Sequence, residues 1–245
     1  MNTNTKDKMD NTELEVFQKG KEFVKVFQGG IKLLMALTKS EYKILFTCLS
    51  MLDFTGQVIY GKTNESPTLG IIEKLTRLDK NTVGNSMEAL SKKGIIIKNK
   101  KGNTYQLLLN ANIFTRAVTS ADKEASKPFV KMFLDTIVEL SKVNLTSSEY
   151  AVLLIGVINL NYETGGIYFK NKNFLVAKDF IRLTELGKTS VTGAIDSLVK
   201  KELFCKNKVG ITYQLFCNPF VFCKGGKINP TLKKIFENTK WNISL

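Results

Sequence analysis

Leu37-Thr38-Lys39-Ser40-Glu41-Tyr42 returns 108 residues later as Leu145-Thr146-Ser147-Ser148-Glu149-Tyr150. Thr104-Tyr105-Gln106-Leu107 returns at the same offset as Thr212-Tyr213-Gln214-Leu215. Between these anchors Leu75-Thr76, Val83, Leu90, Lys92-Lys93, Lys98-Asn99-Lys100 and Gly102 all recur. Roughly a third of about 78 ungapped pairs are identical, which marks an internal duplication. The 245-residue chain is therefore two copies of one small unit. Each copy, of about 100 residues, is long enough to bury a modest core. A duplicated unit presents its function twice in fixed geometry, which suits a repetitive ligand such as duplex DNA.

Each copy reads in the same order. Thr38-x-x-Glu41 and Thr146-x-x-Glu149 are capping boxes, in which the threonine hydroxyl takes an orphan backbone N–H and the glutamate reaches back. They open helices with apolar faces: Tyr42, Leu45, Leu49, Leu52 and Tyr150, Leu153, Val157, Leu160. Short β-prone stretches follow, Val58-Ile59-Tyr60 and Ile167-Tyr168-Phe169. Ser66-Pro67 predicts a helix start with serine as cap, running to about Leu75. After a break at Thr76 to Asp79, a second helix starts near Lys80, with Val83, Met87 and Leu90 on its inner face. Val191, Ile195 and Leu198 match them. Two strands then flank a basic turn: Ile95 to Ile97 and Thr104 to Leu109 around Lys98 to Asn103, and Leu203 to Cys205 and Thr212 to Phe216 around Lys206 to Gly210.

Helix, strand, helix, turn, helix, hairpin is the order of a winged helix-turn-helix. The expected class is α+β, mainly α: tandem duplicated winged helix-turn-helix domains with short β wings. The expected boundaries are a mobile N-terminus (1–20), domain one (21–114), a polar linker (115–128), domain two (129–226) and a tail (227–245). In the tail Leu232, Ile235 and Phe236 fall near helical spacing, which predicts a short docking helix.

Lysine and arginine total 36 against 22 acidic residues, a net +14 and a pI near 9.5. Such a balance suits a polyanionic partner, the plain alternative being a solubility surface. The chain has no histidine, which excludes Cys–His and Ser–His nucleophile pairs, Cys/His zinc sites and histidine-metal nucleases of the rolling-circle initiator type. Cys48, Cys205, Cys217 and Cys223 lack C-x-x-C spacing and read as reduced structural thiols. No signal peptide is evident, and the apolar run Tyr150 to Leu160 is too short to span a bilayer. The expected location is cytoplasmic, with no membrane contact, metal or cofactor.

With Val83, Met87 and Leu90 inward, Lys80, Asn81, Thr82, Gly84 and Asn85 face outward at the start of their helix. Lys188, Thr189, Ser190, Thr192 and Gly193 do so in copy two. Short amides and hydroxyls beside a lysine suit a major groove, where they reach base edges and the lysine reaches phosphate. A solvated helix face would look much the same. Lys98, Lys100, Lys101 and Lys206, Lys208 are expected to cluster on the hairpin tips and suit phosphate contacts, the alternative being lysines that protect a strand edge. The probe helices differ in sequence, so the copies should prefer different half-sites: an asymmetric site for one chain, or sites arranged directly rather than as a perfect palindrome. Tyr105 and Tyr213 read as core or cross-strand packing. Gly56 to Thr63 fits the phosphate-loop pattern G-x-x-x-x-G-K-[ST], but its middle is β-prone, no helix follows, and copy two lacks the glycine and threonine. No catalytic arrangement stands out.

Phe129-Val130-Lys131-Met132-Phe133, then Leu145-Thr146-x-Ser148-Glu149-Tyr150, then Tyr213-Gln214-Leu215-Phe216-Cys217-Asn218-Pro219-Phe220-Val221-Phe222-Cys223-Lys224-Gly225 form a further series. It resembles the winged-helix replication proteins of low-GC bacterial plasmids, the RepL-like group. Those carry an F-V-K-x-Y/F lead-in, an L-T-x-x-E helix start and an N-P-x-x-F-x-K/R-G ending. Copy one keeps Phe23 to Phe27, Asn110 and Phe114, with Ala111 in place of the proline. That group typically shows one such domain, whereas this chain has two. In architecture, though not in motifs, tandem winged helices are similar to iteron-binding plasmid initiators. The resemblance implies origin binding and recruitment of host replication proteins, without enzymatic activity. The leading expectation is a plasmid replication initiator that binds repeats in double-stranded DNA, with a homo-oligomer on DNA possible. The alternatives are a transcription or copy-number regulator, or a segregation or conjugation adaptor.

Overall fold

β1 (Phe23–Phe27) opens the first copy and leads through a 3-10 turn, Gln28–Gly30, into α1 (Ile31–Met35). A computed structural model describes residues 22–61, 65–102, 104–117, 128–162, 164–169, 173–225 and 228–242. The N-terminal stretch expected to be mobile and most of the expected linker lie outside them. α2 (Lys39–Ser50) begins where its capping box predicts: Glu41 N–H donates to the Thr38 hydroxyl at 3.3 Å, and Thr38 N–H donates to the Glu41 carboxylate at 2.6 Å. α3 (Leu69–Thr76), α4 (Lys80–Lys92), β2 (Ile96–Lys101), β3 (Thr104–Leu109) and β4 (Phe114–Ala117) follow.

α3 starts two residues later than a Ser66 cap predicts. Thr68 is its cap and accepts Ile71 N–H at 3.3 Å. The Ser66 hydroxyl instead accepts Leu107 N–H at 2.8 Å, so a residue with cap chemistry pins the chain to β3. α3 ends at Arg77 in the left-handed region (φ 55°), and Asp79 caps α4 two residues on.

The second copy repeats the series: β5 (Phe129–Phe133), α5 (Leu134–Lys142), α6 (Ser147–Ile158), β6 (Tyr168–Phe169), β7 (Asn173–Phe174), α7 (Ala177–Thr184), α8 (Lys188–Lys200), β8 (Phe204–Val209), β9 (Thr212–Cys217) and β10 (Phe222–Cys223). α9 (Pro230–Phe236) closes it. The chain is a mixed α/β structure, mainly helical, with small antiparallel sheets. Leu52 bridges Val58, whereas Leu160 bridges Ile167, so the repeat offset grows from 108 to 109 across this loop. The same segments touch each hairpin through an isolated bridge, Gln57 to Leu108 and Gly166 to Phe216, with Val58 N–H donating to Leu107 at 2.8 Å and Ile167 N–H to Leu215 at 2.9 Å.

The two copies meet in one four-stranded sheet, ordered β10-β5-β1-β4. Its central pair, β1 and β5, is antiparallel, with Phe23 opposite Phe133, Lys25 opposite Lys131 and Phe27 opposite Phe129. The repeated Phe-Val-Lys motif thus pairs with itself, Lys25 against Lys131 at the centre. Outside this pair Phe114 sits opposite Val26, and its counterpart Phe222 opposite Met132. Thr115 opposite Lys25 likewise returns as Cys223 opposite Lys131, as a local two-fold axis through the lysine pair requires, whereas β4 runs on to pair Arg116 with Val24 and Ala117 with Phe23 and the shorter β10 does not. Thr115 to Ala117 belong to β4, so the boundary expected after residue 114 falls within a strand.

The helices obey the same axis. α1 packs on α6 of the other copy, and α5 packs on α2. Gln28 donates across to the Ile158 carbonyl at 2.6 Å. Tyr42 and Tyr150 stack with ring centres 4.5 Å apart, both fully buried. A β-carbon on Gly30 would lie 2.5 Å from Ile113, so only glycine lets this lead-in approach so closely. Leu34, Leu37, Ile137, Leu140 and Leu145 all enter one continuous core shared by both copies. Each such side chain contributes about 1.5–3 kcal/mol on burial. The copies are therefore crossed halves of one core.

On the opposite face of the sheet Phe23, Phe133, Cys223 and Ile228 form a second cluster. Lys25 and Lys131 share that face and are buried. Each ammonium lies over a phenylalanine ring of the neighbouring strand, Lys25 at 5.2 Å from Phe129 and Lys131 at 5.0 Å from Phe23. Burial lowers the Lys131 pKa. In α9, Leu232 and Phe236 are buried and Ile235 is exposed, so two of the three expected docking residues pack inward. Trp241 beyond it is buried and donates its indole N–H to the Lys201 carbonyl at 2.8 Å. Among the described residues no helix is long and apolar enough to cross a membrane.

Candidate nucleic-acid interface

Val83, Met87 and Leu90 bury one face of α4, and Ser86 joins them, 3.0 Å from the Ser40 hydroxyl on α2. That anchoring turns Lys80, Asn81 and Asn85 to solvent, with Thr82 and Gly84 half-buried. The Thr82 hydroxyl is occupied, donating to the Asp79 carboxylate at 2.6 Å, while Thr82 N–H donates to the same group at 2.9 Å. These bonds hold the Asp79 pKa below its ordinary value. In copy two Val191, Ala194, Ile195 and Leu198 are buried, and Lys188, Thr189, Ser190, Thr192 and Gly193 are exposed. The Thr192 hydroxyl donates to the Lys188 carbonyl at 2.9 Å. Gly187 precedes this helix and gives it no side-chain cap. The two helix starts thus differ electrostatically: a carboxylate sits at the positive end of α4, and none caps that of α8.

Each hairpin projects beside its helix. Lys98 pairs with Glu88 of α4 at 3.2 Å, and Lys206 pairs with the equivalent Asp196 of α8. These two lysines brace wing against helix. Lys100, Lys101 and Lys208 stand further out and are exposed. Tyr105 and Tyr213 are not core residues, one of the two places the sequence allows them; they are 57% and 48% exposed. They share a face with Leu107 and Leu215, which are buried, but the hairpin has by then run past the body of the protein. Lys100 lies opposite Tyr105 and Lys208 opposite Tyr213, and the Lys206 ammonium is 5.4 Å from the Tyr213 ring centre. Each wing therefore carries an exposed aromatic among lysines. Nothing in the sequence marks these tyrosines as exposed, because alternation places them on the same face as Leu107 and Leu215.

A glutamate and a lysine lock each unit behind this surface. The Lys93 ammonium contacts the Glu41 carboxylate at 2.9 and 3.0 Å, and Lys201 pairs with Glu149. Each bond ties the start of α2 or α6 to the residue that follows α4 or α8.

The phosphate-loop pattern has another use. Val58, Ile59 and Tyr60 donate their N–H groups to Leu107, Met51 and Glu65 carbonyls, at 2.8, 2.9 and 3.0 Å. Those groups are spent on β3, on the end of α2 and on Glu65, and form no phosphate cradle. Lys62 and Thr63 lie outside the described residues. All four cysteines are free thiols, three of them buried; burial raises Cys48 to about 12 and Cys205 to about 11. Among the described residues no group of three or more Cys, Asp or Glu side chains could hold a metal ion.

No protein-family model matches the chain, and no curated protein does. Among solved structures it is similar to the DIP2311 protein from Corynebacterium diphtheriae, at 14% identity and a TM-score of 0.22, over 72% of this chain. The chain spans 26% of that protein's length, and a likeness this slight carries no argument about fold or role.

Proposed function

We propose that the chain is a sequence-specific binder of double-stranded DNA, in which each half is a winged helix-turn-helix. α4 and α8 are the groove-reading helices, and the hairpins β2–β3 and β8–β9 are the wings. One observation carries this reading. The exposed starts of α4 and α8, with Lys80, Asn81, Asn85 and Lys188 to Ser190, Thr192, each stand beside a lysine- and tyrosine-bearing hairpin, and the pair is related by a two-fold axis. A duplex has two-fold axes of its own, so a protein with this symmetry can place both helices in equivalent grooves. The net charge of +14 supplies the phosphate attraction.

The axis also constrains the target. Helices related by a two-fold read half-sites that face one another, and the unlike sequences of α4 and α8 demand unlike arms. The site for one chain is then an inverted pair with two different arms. The sequence resemblance supports a role at a plasmid origin, with the protein delivering host replication proteins to the bound DNA. Regulation of a promoter and segregation of a plasmid need the same surface and are separated by experiment.

Footprinting on the flanking DNA of its own replicon should reveal two unlike, inverted protected segments per chain. With about 6–10 phosphate contacts, affinity should fall by about three to five orders of magnitude between roughly 50 and 200 mM salt. An affinity indifferent to salt would sink the DNA reading. A minimal origin plasmid that replicates without the protein would leave DNA binding intact and remove the initiator role.

A further inference from the structure

The two wings differ at their tips. The first ends Lys101-Gly102-Asn103-Thr104, and the second Val209-Gly210-Ile211-Thr212. In the second, Val209 pairs with Thr212, leaving Gly210 and Ile211 as a two-residue turn. Gly210 takes φ 60°, the left-handed conformation such turns reserve for glycine. The turn holds Ile211 clear of the protein at 99% exposure, with Val209 beside it at 46%. An isoleucine this bare makes no contribution to the fold, and the first copy has a polar residue in its place. Lys208 precedes the pair, exposed, and Lys206 and Tyr213 stand behind it. An apolar point on a basic stem fits a duplex better than a protein surface, because the stem seeks phosphate while the point seeks the stacked interior of the bases.

We propose that Val209 and Ile211 form a wedge that enters the minor groove and partly unstacks a base step in the arm bound by the second copy. This rests on the DNA-binding reading above and extends it to the class of substrate: a site carrying an easily opened step in one arm only. Pyrimidine–purine steps such as TA unstack most readily, so the wedge would prefer them. Copy one, with lysine and asparagine at the same positions, holds its arm without distorting it.

The test uses the full chain and its footprinted site, with 2-aminopurine placed at successive steps of both arms. The intact protein should raise the fluorescence severalfold at one step, in one arm. Ile211→Asn should abolish the rise at protein concentrations that saturate the site, where a change in affinity does not enter the reading. Ile211→Met should keep it. All three proteins should melt at the same temperature, because the side chain is outside the core. Binding with no fluorescent step, or an unchanged step in Ile211→Asn, overturns the wedge and leaves DNA binding standing. Failure of the intact protein to bind duplex overturns both. A self-association in sedimentation that Ile211→Asn removes, with the fluorescent step unaffected, assigns the tip to a second copy and overturns the wedge.

Discussion

Glu149 serves two elements at once. Burial pushes its pKa up, but the bonds from Lys201, Ser197 and the Thr146 amide outweigh that and hold it below its ordinary 4.5. A folded value below the unfolded one stabilises the protein fully above the unfolded value, and the stabilisation drains away as pH falls through the folded one. Urea midpoints should therefore drop on the acid side of about pH 4.5. Glu149→Gln should flatten that limb while costing ~2 kcal/mol at neutral pH, where the intact charge-assisted bonds are lost. An acid limb unchanged in the variant would show that other carboxylates set it. The capping role of this residue was legible in Thr146-x-x-Glu149. Its ion pair was not, because Lys201 is distant in sequence and only the packing of α8 on α6 brings it near.

The inner face of α4 was legible, because Val83, Met87 and Leu90 fix its rotation, but its Asp79 cap and the half-burial of Thr82 and Gly84 were not. The wings were legible as hairpins but not in their exposure, since alternation says which face a residue takes and not how far the hairpin overhangs. Hence Tyr105 and Tyr213 emerged only from the structure. If the chain binds DNA as proposed, the elements divide the labour. Lys80→Ala with Asn81→Ala should change which sequences bind, costing about 1–3 kcal/mol at the contacted position. Lys100→Ala with Lys101→Ala should weaken all sequences alike and reduce the salt slope. Competition against a randomised duplex pool separates the outcomes; equal loss across the pool from the helix pair would remove base reading from α4.

The duplication was plain in the sequence, but the way the copies interlock was not. The lead-in strands are short, and nothing in Phe23 to Phe27 says that its partner lies beyond the linker. The shared sheet, the tyrosine stack and the exchange of α1 and α5 predict one cooperative unit. Either half expressed alone should fail to give a sharp melting transition, whereas a chain nicked within residues 118–127 should elute and unfold as one species. Separation of the nicked halves under native conditions would mean that the common core contributes little.

A self-pairing lead-in carries a corollary for ancestry. A protein with one copy of this unit would leave its first strand and helix without a docking surface, and a second identical molecule would supply one. The present chain thus has the form of a homodimer made permanent by gene fusion. Once fused, the exposed starts of α4 and α8 were free to diverge, an option that strict identity between subunits withholds.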